Sequence, residues 1–260
     1  MRRPAWQLDA NVDELFAELL RCGEGLVPAR EFMARASPDE ATLIALLRRS
    51  VSVGLLEYIA ATSPWADRPR VLGAVLLNPK APRALGLRLV PYLFWRDLAQ
   101  VAASPWVPAA VRVRAEAILR DKLAEMRLGE RVTLGRIATP PVLVALLCDT
   151  EPKVVGAALQ NARLREEDLL VQVRSDGVPP ALLEEVARSP RWAECYALRL
   201  ALVLQGRTPL GVALGQISSL LARDLRRVVR TSGLHPLVQA AAQRVAERAS
   251  RARNLGRSAR

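Results

Sequence analysis

The sequence predicts an all-α protein: a right-handed α-solenoid of stacked short helix pairs, produced by an internal duplication. Three observations lead to this fold class. Leu, Ala, Val and Arg dominate the composition while aromatic residues make up only 4%, and three of those four are good helix formers. Apolar residues recur with the 3.6-residue period of a helix. Finally, two long segments of the chain align with each other without a gap.

The duplication is visible when segment 34–119 is laid on segment 161–246, which gives 20 identities in 86 positions. We call this alignment the duplication register. A shared composition would scatter matches of Leu and Ala, but it would not align rarer residues in one register. The rarer aligned residues are Trp65 with Trp192, Pro82 with Pro209, and Arg96-Asp97 with Arg223-Asp224. We therefore predict two copies of one packing unit.

A shorter unit of 26–29 residues recurs inside each block. Proline fits the first turn of a helix, where no backbone N–H is required. In 182–187 the apolar residues share one helical face, while Glu184 and Glu185 point away from it. Each unit is thus predicted to be a pair of short helices that must stack on its neighbours. The unit starts are Val53, Pro82 and Pro108 in the first block, and Pro180, Pro209 and Pro236 in the second.

The chain is predicted to have five consecutive parts. No long Gly/Ser-rich linker separates them, so one continuous stack is expected rather than two loosely tethered domains. Further helices are expected between the blocks, at the apolar runs that follow Pro140 and Pro152. The parts are an N-terminal helical cap, 1–33; a first repeat block, 34–119; connecting helical repeats, 120–160; a second repeat block, 161–248; and a basic, disordered tail, 249–260.

The N-terminal segment predicts a helix over about Asn11–Leu20, with Asp9 or Asn11 as its N-cap. The segment lacks the apolar run of a secretory signal, and no stretch approaches the roughly 18 apolar residues of a membrane span. We therefore expect a cytoplasmic protein without a transmembrane segment. The three cysteines, Cys22, Cys148 and Cys195, are far apart, and we expect them to be buried, reduced thiols. No metal site and no cofactor is predicted.

Several segments resemble bacterial HEAT-like and leucine-rich-variant helical repeats. These segments begin at Leu77, Arg96, Pro108 and Pro152, and the resemblance covers most of 34–246. It implies an α-solenoid. Some leucine-rich-variant proteins carry an N-terminal cysteine cluster for an iron–sulfur centre, a feature that does not carry over because only Cys22 lies there. A bacterial alkylpurine DNA glycosylase uses a basic HEAT-like solenoid of similar size, but its catalytic Asp and aromatic pocket have no residue-by-residue match here.

Catalytic motifs are absent from the sequence, which contains no P-loop, GxGxxG, HExxH or GxSxG pattern. His235 is the only histidine. We interpret it as a capping or solvated loop residue rather than a general base, because the sequence places no carboxylate or nucleophile near it. The protein is therefore expected not to be an enzyme, and no small-molecule substrate is implied.

The repeated pairs Arg96-Asp97 and Arg223-Asp224 allow two interpretations. They could present a charged pair on one face of both blocks. Alternatively, each Asp lies in the first turn of a helix, where it favours the helix dipole, while the Arg contacts a neighbouring loop. We favour the structural interpretation, because polar contacts that repeat from unit to unit are common in solenoids.

Three tryptophans, Trp65, Trp106 and Trp192, follow Ser-Pro or Ser-Pro-Arg. They could form a stacking platform for nucleic-acid bases. Tryptophans at such positions more often pack at a loop between units. We therefore interpret all three as packing residues.

The C-terminal end of the chain holds most of the charge asymmetry. Residues 221–260 contain ten arginines against Asp224 and Glu247, a net charge of +8 out of +12 for the whole chain. One interpretation is a surface for an anionic partner; the other is a polar cap that keeps the stack soluble. A solubility cap needs charge but not a single sign of charge, so both remain open. The candidate contact residues are Arg223, Arg226, Arg227, Arg230, Arg244, Arg248 and Arg251.

Stacked repeats without a catalytic constellation predict a non-enzymatic scaffold that binds a protein partner. The alternative is DNA or RNA binding through the Arg-rich C-terminal half. A remote third hypothesis is a HEAT-like DNA-repair enzyme, which would need a concave cleft that holds a carboxylate beside an exposed aromatic residue. A continuous positive groove would favour nucleic acid, whereas an apolar or mixed groove would favour a protein.

Overall fold

The computed structural model describes residues 5–21 and 26–258, with side chains described over 12–21 and 27–250. All regular secondary structure in this described part is helical, as the composition and periodicity predict. The chain forms two compact units, Met1–Glu125 and Met126–Arg260. Among the described residues, no helix combines the length and the apolar character needed to cross a membrane.

Short helices make up most of the first unit, and 3₁₀ turns at Val90–Tyr92 and Leu123–Glu125 follow its sixth and eighth α-helices. The short helices fit the predicted helix-pair units. The α-helices are α1 (Ala5–Arg21), α2 (Leu26–Ala36), α3 (Glu40–Leu47), α4 (Val53–Ala61), α5 (Pro69–Leu77), α6 (Arg83–Leu89), α7 (Trp95–Ala103) and α8 (Ala109–Lys122).

The second unit has the same character, except that its last helix is long. Two of its helices begin at Pro140 and Pro152, as predicted. The α-helices are α9 (Leu128–Ile137), α10 (Pro140–Leu147), α11 (Pro152–Leu159), α12 (Glu166–Arg174), α13 (Pro180–Arg188), α14 (Pro190–Ala193), α15 (Tyr196–Leu204), α16 (Leu210–Ile217), α17 (Ala222–Arg230) and α18 (Pro236–Ser258).

Helix boundaries repeat in the duplication register found in the sequence. Both ends of α4, α5 and α7 fall on both ends of α13, α15 and α17, and the start of α8 falls on the start of α18. The packing repeats as well. In the first unit α1 contacts α3, α3 contacts α5 and α5 contacts α7, and the corresponding contacts in the second unit are α10 with α12, α12 with α15 and α15 with α17. Each unit is therefore built to the same internal plan.

The repeated plan extends beyond the aligned segments. Helix α2 contacts α4 in the first unit, as α11 contacts α13 in the second. Helices α1 and α2, which include most of the segment that the sequence suggests as a cap, thus make the contacts that helices of the connecting segment 120–160 make in the other unit. The boundary between the two compact units, after Glu125, falls inside that connecting segment.

Two sequence-based expectations at the chain ends are wrong. Helix α1 begins at Ala5, so Asp9 and Asn11 lie inside the helix and do not cap it; the preceding Ala, Gln and Leu are good helix formers and extend it. Helix α18 continues to Ser258, so most of the predicted disordered tail is helical. Its Ala and Arg residues have high helix propensity, and the first glycine after the start of the tail is Gly256.

Apolar stripes of neighbouring helices form the core of each unit. In the second unit one buried cluster is shared by α15, α16, α17 and α18 and contains Val203, Ala213, Ile217, Leu225, Val228, Val238 and Ala242. Corresponding residues are buried in the first unit: Leu76, Gly86, Val90, Leu98, Val101, Val111 and Ala115. Position 86 is glycine because the Cβ of any other residue would lie 2.6 Å from Cγ2 of Val111, so α6 and α8 approach closely there.

Among the described residues, three side-chain amides each donate two hydrogen bonds to carbonyl groups at the carboxyl end of a helix. Asn78, which is buried, donates through Nδ2 to the carbonyl oxygens of Leu47 at 2.8 Å and Arg49 at 2.7 Å. Gln205, at the position that corresponds to Asn78, and Asn161 make the same pair of donations. The acceptors are Val173 and Ser175 for Gln205, and Gly135 and Ala138 for Asn161. Each amide oxygen in turn accepts the backbone N–H two residues further along. We call these contacts the amide clamps.

We predict that Asn78→Asp destabilises the first unit by about 2–4 kcal/mol, because it removes both donors and leaves two carbonyl groups unsatisfied. Urea-induced unfolding followed by circular dichroism measures this loss. Asn78→Gln is the matched control, since it keeps both donors and restores the residue type of the other copy. Equal losses for the Asp and Gln variants would contradict a role for the amide donors.

Candidate functional site

The main candidate site is a groove of about 890 Å³ on the first unit, formed by α3, α5 and α7 and the loops that follow α5 and α7. On α5 the lining residues are Arg70, Gly73, Ala74 and Leu77, which share one helical face because they are three or four residues apart. We call it the aromatic groove, because Phe94 and Trp106 also line it.

Apolar side chains provide much of the groove surface. Ile44, Leu47 and Leu77 line it together with two exposed aromatic residues, Phe94 at 60% and Trp106 at 72% exposure. Trp106 was expected to pack between units, and this expectation is wrong. Large aromatic side chains that stay exposed beside a groove are the usual anchors for a binding partner.

Charges of both signs surround this apolar surface. Arg48, Arg70 and Arg96 line the groove together with Glu40 and Asp97. One oxygen of Glu40 lies 3.3 Å from a guanidinium nitrogen of Arg68, outside the groove lining. The groove is therefore mixed in chemistry, with an excess of cationic groups.

Asp97 is the half-buried carboxylate of the groove. Burial raises its pKa above the ordinary value of 3.8, while the guanidinium groups of Arg70 and Arg96 pull the pKa back down. Gly73 lets the carboxylate approach α5, since a Cβ at that position would lie 3.2 Å from Cβ of Asp97. The groove thus contains a partly desolvated carboxyl group as well as exposed aromatic residues.

The second unit has a depression of about 340 Å³ on the equivalent face, formed by α12, α15 and α17. Six of its lining positions correspond to groove positions of the first unit in the duplication register. The pairs are Leu47 with Arg174, Gly73 with Leu200, Ala74 with Ala201, Leu77 with Leu204, Pro79 with Gly206, and Gln100 with Arg227. The same surface is therefore present in both copies, but the two surfaces differ in chemistry.

Helix α17 brings four candidate arginines together. Arg223, Arg226, Arg227 and Arg230 are exposed and line a second depression of about 360 Å³ with Thr231. We call this the α17 arginine cluster. Its lining includes neither Arg244 nor Arg248, which are exposed on α18, and the side chain of Arg251 lies outside the described residues. The structure groups only part of the predicted basic set.

Asp97 and Asp224 both lie in the first turn of their helices. This is the position that we predicted if the repeated Arg-Asp pairs have a structural role. Asp224 also accepts a hydrogen bond from the hydroxyl of Tyr196, which itself accepts the backbone N–H of Leu221 at 3.1 Å. Burial and this bond to Asp224 raise the pKa of Tyr196. The arginine contacts are local rather than to a neighbouring loop: Arg96 lies over the ring of Trp95, and Arg223 lies 3.5 Å from Asp224.

Two of the three tryptophans pack inside their units, as expected. Trp65 and Trp192 are only 5% and 6% exposed. Trp192 donates through Nε1 to the carbonyl oxygen of Leu159 at 2.9 Å, and the guanidinium of Arg191 lies over its ring. Neither of these two rings is available for stacking on a ligand.

The structure places His235 at the start of a helix, and it describes two of the three cysteines. His235 is exposed and accepts the backbone N–H of Leu237 through Nδ1 at 3.2 Å, which confirms its interpretation as a capping residue. Cys148 is exposed and Cys195 half-buried, so the expectation of buried thiols is wrong for these two, and Cys22 lies outside the described residues. Over the described ranges, no group of His, Cys, Asp and Glu side chains is arranged to hold a metal ion.

Sequence reasoning missed most of the aromatic groove. Its α3 and α5 residues, such as Ile44, Arg48 and Arg70, belonged to no motif. The available signal was their helical spacing on the side opposite the core stripe, which alone does not reveal a groove.

Compared with protein-family models, with curated proteins and with solved structures, the chain matches none of them.

We predict that Asp97→Asn reduces the pH dependence of stability. Because the pKa of Asp97 is raised on folding, its stabilising contribution is complete below its ordinary value of 3.8 and is lost as pH rises through the folded pKa. The neutral Asn variant should therefore gain stability relative to the wild type as pH rises to neutrality. Urea unfolding of both proteins across this pH range measures the difference.

Asp121→Asn is the control, because Asp121 is an exposed carboxylate of the same unit. It removes the same formal charge without changing a half-buried group. If the two variants shift the pH profile equally, the effect reflects net charge and not the burial of Asp97.

Proposed function

We propose that the protein is a non-enzymatic helical-repeat scaffold that binds a protein partner in the aromatic groove. We also propose that its helices stack as an α-solenoid of the HEAT-like type. The supporting observation is the mixed chemistry of the groove, in which exposed Phe94 and Trp106 lie among arginines and apolar side chains. A groove of this composition suits a peptide segment better than a phosphate backbone, which would favour an uninterrupted positive surface.

The repeated packing supports the scaffold part of this proposal. In the first unit α3 contacts α5 and α5 contacts α7, and in the second unit α12 contacts α15 and α15 contacts α17. Helices stacked in this way present a row of side chains on one face. In the first unit the row of α3, α5 and α7 carries the aromatic groove. Repeat proteins commonly bind their partners on such rows.

The chemistry of the lining defines the partner. An aromatic or aliphatic side chain would pack on Phe94 and Trp106, and a neighbouring carboxylate would pair with Arg48 or Arg70. We therefore expect a segment of a protein in which an apolar anchor is flanked by Asp or Glu. Arginine is well suited to this pairing, because its guanidinium binds a carboxylate through two parallel hydrogen bonds.

The test is selection of random-sequence peptides displayed on phage with the full-length protein as bait. We expect enrichment of peptides that combine an apolar anchor with Asp or Glu. Trp106→Ser should weaken the best peptide by about 30-fold, the effect of losing about 2 kcal/mol at a buried aromatic anchor. Fluorescence anisotropy with the labelled peptide measures the dissociation constants.

Leu221→Ser is the matched control, because Leu221 is exposed and corresponds to Phe94 in the second unit. Phe94→Ser should weaken binding, whereas Leu221→Ser should leave it unchanged. Failure to enrich any common pattern, or equal binding by the wild type and Trp106→Ser, would refute the groove as the binding site.

A second candidate function is base excision by a DNA-repair enzyme, favoured by one observation: Asp97 and the exposed Trp106 line the same groove. That hypothesis requires a carboxylate beside an exposed aromatic residue. It predicts that the protein releases alkylated purines from methylated duplex DNA, and that Asp97→Asn abolishes the release. Chromatography of the released bases measures this activity, and its absence in the wild-type protein would eliminate the candidate.

A further inference from the structure

The α17 arginine cluster is a strongly cationic surface that the proposed function does not use. Its four guanidinium groups are exposed, and no carboxylate lines the depression between them. The opposite side of α17 is buried through Leu225 and Val228. The helix therefore presents an apolar face to the unit and four arginines to solvent, of which Arg223 also lies 3.5 Å from Asp224.

One further arginine, on α12, lies on the same face as the α17 arginine cluster. Arg227 lines both depressions of the second unit, and Arg174 on α12 lines the depression that α12, α15 and α17 share. Asp176 is the one carboxylate in the lining of that shared depression. Arg174 on α12 and Arg227 on α17 therefore line one depression, with the uncharged Leu200, Ala201 and Leu204 of α15 between them. An extended polyanion can contact both arginines, whereas a single small anion would contact only part of this surface.

The fold does not require this charge. At the corresponding positions of α7, Arg226, Arg227 and Arg230 are replaced by Ala99, Gln100 and Ala103, and α7 has the same length and the same helix ends. Arginines three and four residues apart on one helix repel each other. A cluster that is unfavourable for its own helix and dispensable for packing indicates a role in binding.

The chemistry and spacing of the cluster fit a phosphodiester backbone. A guanidinium binds two phosphate oxygens at once, and Arg is preferred over Lys for this contact. From Arg223 to Arg230 the helix rises by about 10 Å, which spans about three phosphates of one strand at about 3.4 Å of axial rise each.

The same face lacks the aromatic residues that bind unstacked bases. The position of Trp106 is occupied by Gly233, and the position of Phe94 by Leu221. Proteins that bind single strands stack bases on aromatic side chains. None lines either of the two depressions, so the surface is suited to the backbone of a duplex.

We propose that the α12–α15–α17 face of the second unit binds double-stranded nucleic acid through its phosphate backbone, without reading the base sequence. The key contacts are made by Arg226, Arg227 and Arg230. This binding is separate from the aromatic groove, since it uses residues of the other unit. It can therefore fail or succeed independently of the proposed protein binding.

The experiment measures binding of the full-length protein to fluorescein-labelled duplex DNA of random sequence by anisotropy, over a range of salt concentrations. The test variant is Arg226→Ala, Arg227→Gln and Arg230→Ala combined, which restores the residues of the first copy. We compare the loss of affinity of each protein when the salt concentration is raised fourfold. If each of the three arginines contacts one phosphate, the loss for the wild type should be about 40 times the loss for this variant. Duplexes of unrelated sequence should bind equally well, and a single strand should bind more weakly.

A charge-matched control removes three exposed arginines from the first unit: Arg83→Gln, Arg114→Ala and Arg120→Ala combined. It should retain the salt dependence of the wild type. An equal loss in both triple variants would overturn the proposal in favour of a general charge effect. If the first triple variant unfolds, the single variant Arg226→Gln takes its place and should reduce the salt dependence by about one phosphate contact.

Two other polyanions provide competing outcomes. Binding of polyglutamate or of vesicles that contain phosphatidylserine, with no binding of the duplex, would overturn the proposal in favour of an acidic protein or a membrane surface. Preference for the single strand over the duplex would overturn the assignment to a duplex. Salt-dependent duplex binding that needs the α17 arginine cluster would support it.

Discussion

Helices as short as α3 and α5 cannot hide their own apolar stripes, and every other feature of the two units depends on this constraint. Such helices are not stable in water by themselves. Helix α5, for example, contacts α3 and α7 as well as α4 and α6. Because burial must be shared among so many neighbours, the positions that face other helices are restricted, while those that face solvent can change without loss of the fold.

Short helices also have a large proportion of unsatisfied backbone groups. A helix as short as α3 leaves its last four carbonyl groups without partners inside the helix. The amide clamps of Asn78, Asn161 and Gln205 answer this need at the ends of three helices. Because each clamp reaches from one helix end to another, it also fixes the spacing of the helices that contact each other. The clamp and the shared core are therefore two parts of one packing solution.

The sequence predicts what is local and periodic. The proline-led helix starts, the helical class and the register of the two copies all follow from spacings along the chain, and the helices of the structure follow them. Phe94 and Trp106 are distant in sequence from the groove residues of α3 and α5, and the packing of α3, α5 and α7 brings them to one groove. No local spacing along the chain therefore predicts the groove. Trp106 follows Ser-Pro as Trp65 does, yet only the latter is buried. Burial of a loop tryptophan depends on the helix beneath it, which the local motif does not specify.

The divergence of the two copies distinguishes positions that packing requires from positions that can change. Asp97 and Asp224 retain the same place in the first turn, and the clamp position retains an amide as Asn78 or Gln205. By contrast, Trp106 corresponds to Gly233, and Ala99, Gln100 and Ala103 of α7 correspond to three members of the α17 arginine cluster, Arg226, Arg227 and Arg230. Each copy folds without the surface residues of the other, so neither set is a requirement of the architecture. A duplicated face that keeps its framework and changes its chemistry is consistent with the two proposed ligands: a protein segment with an apolar anchor and flanking carboxylates on the first unit, and a nucleic-acid backbone on the second.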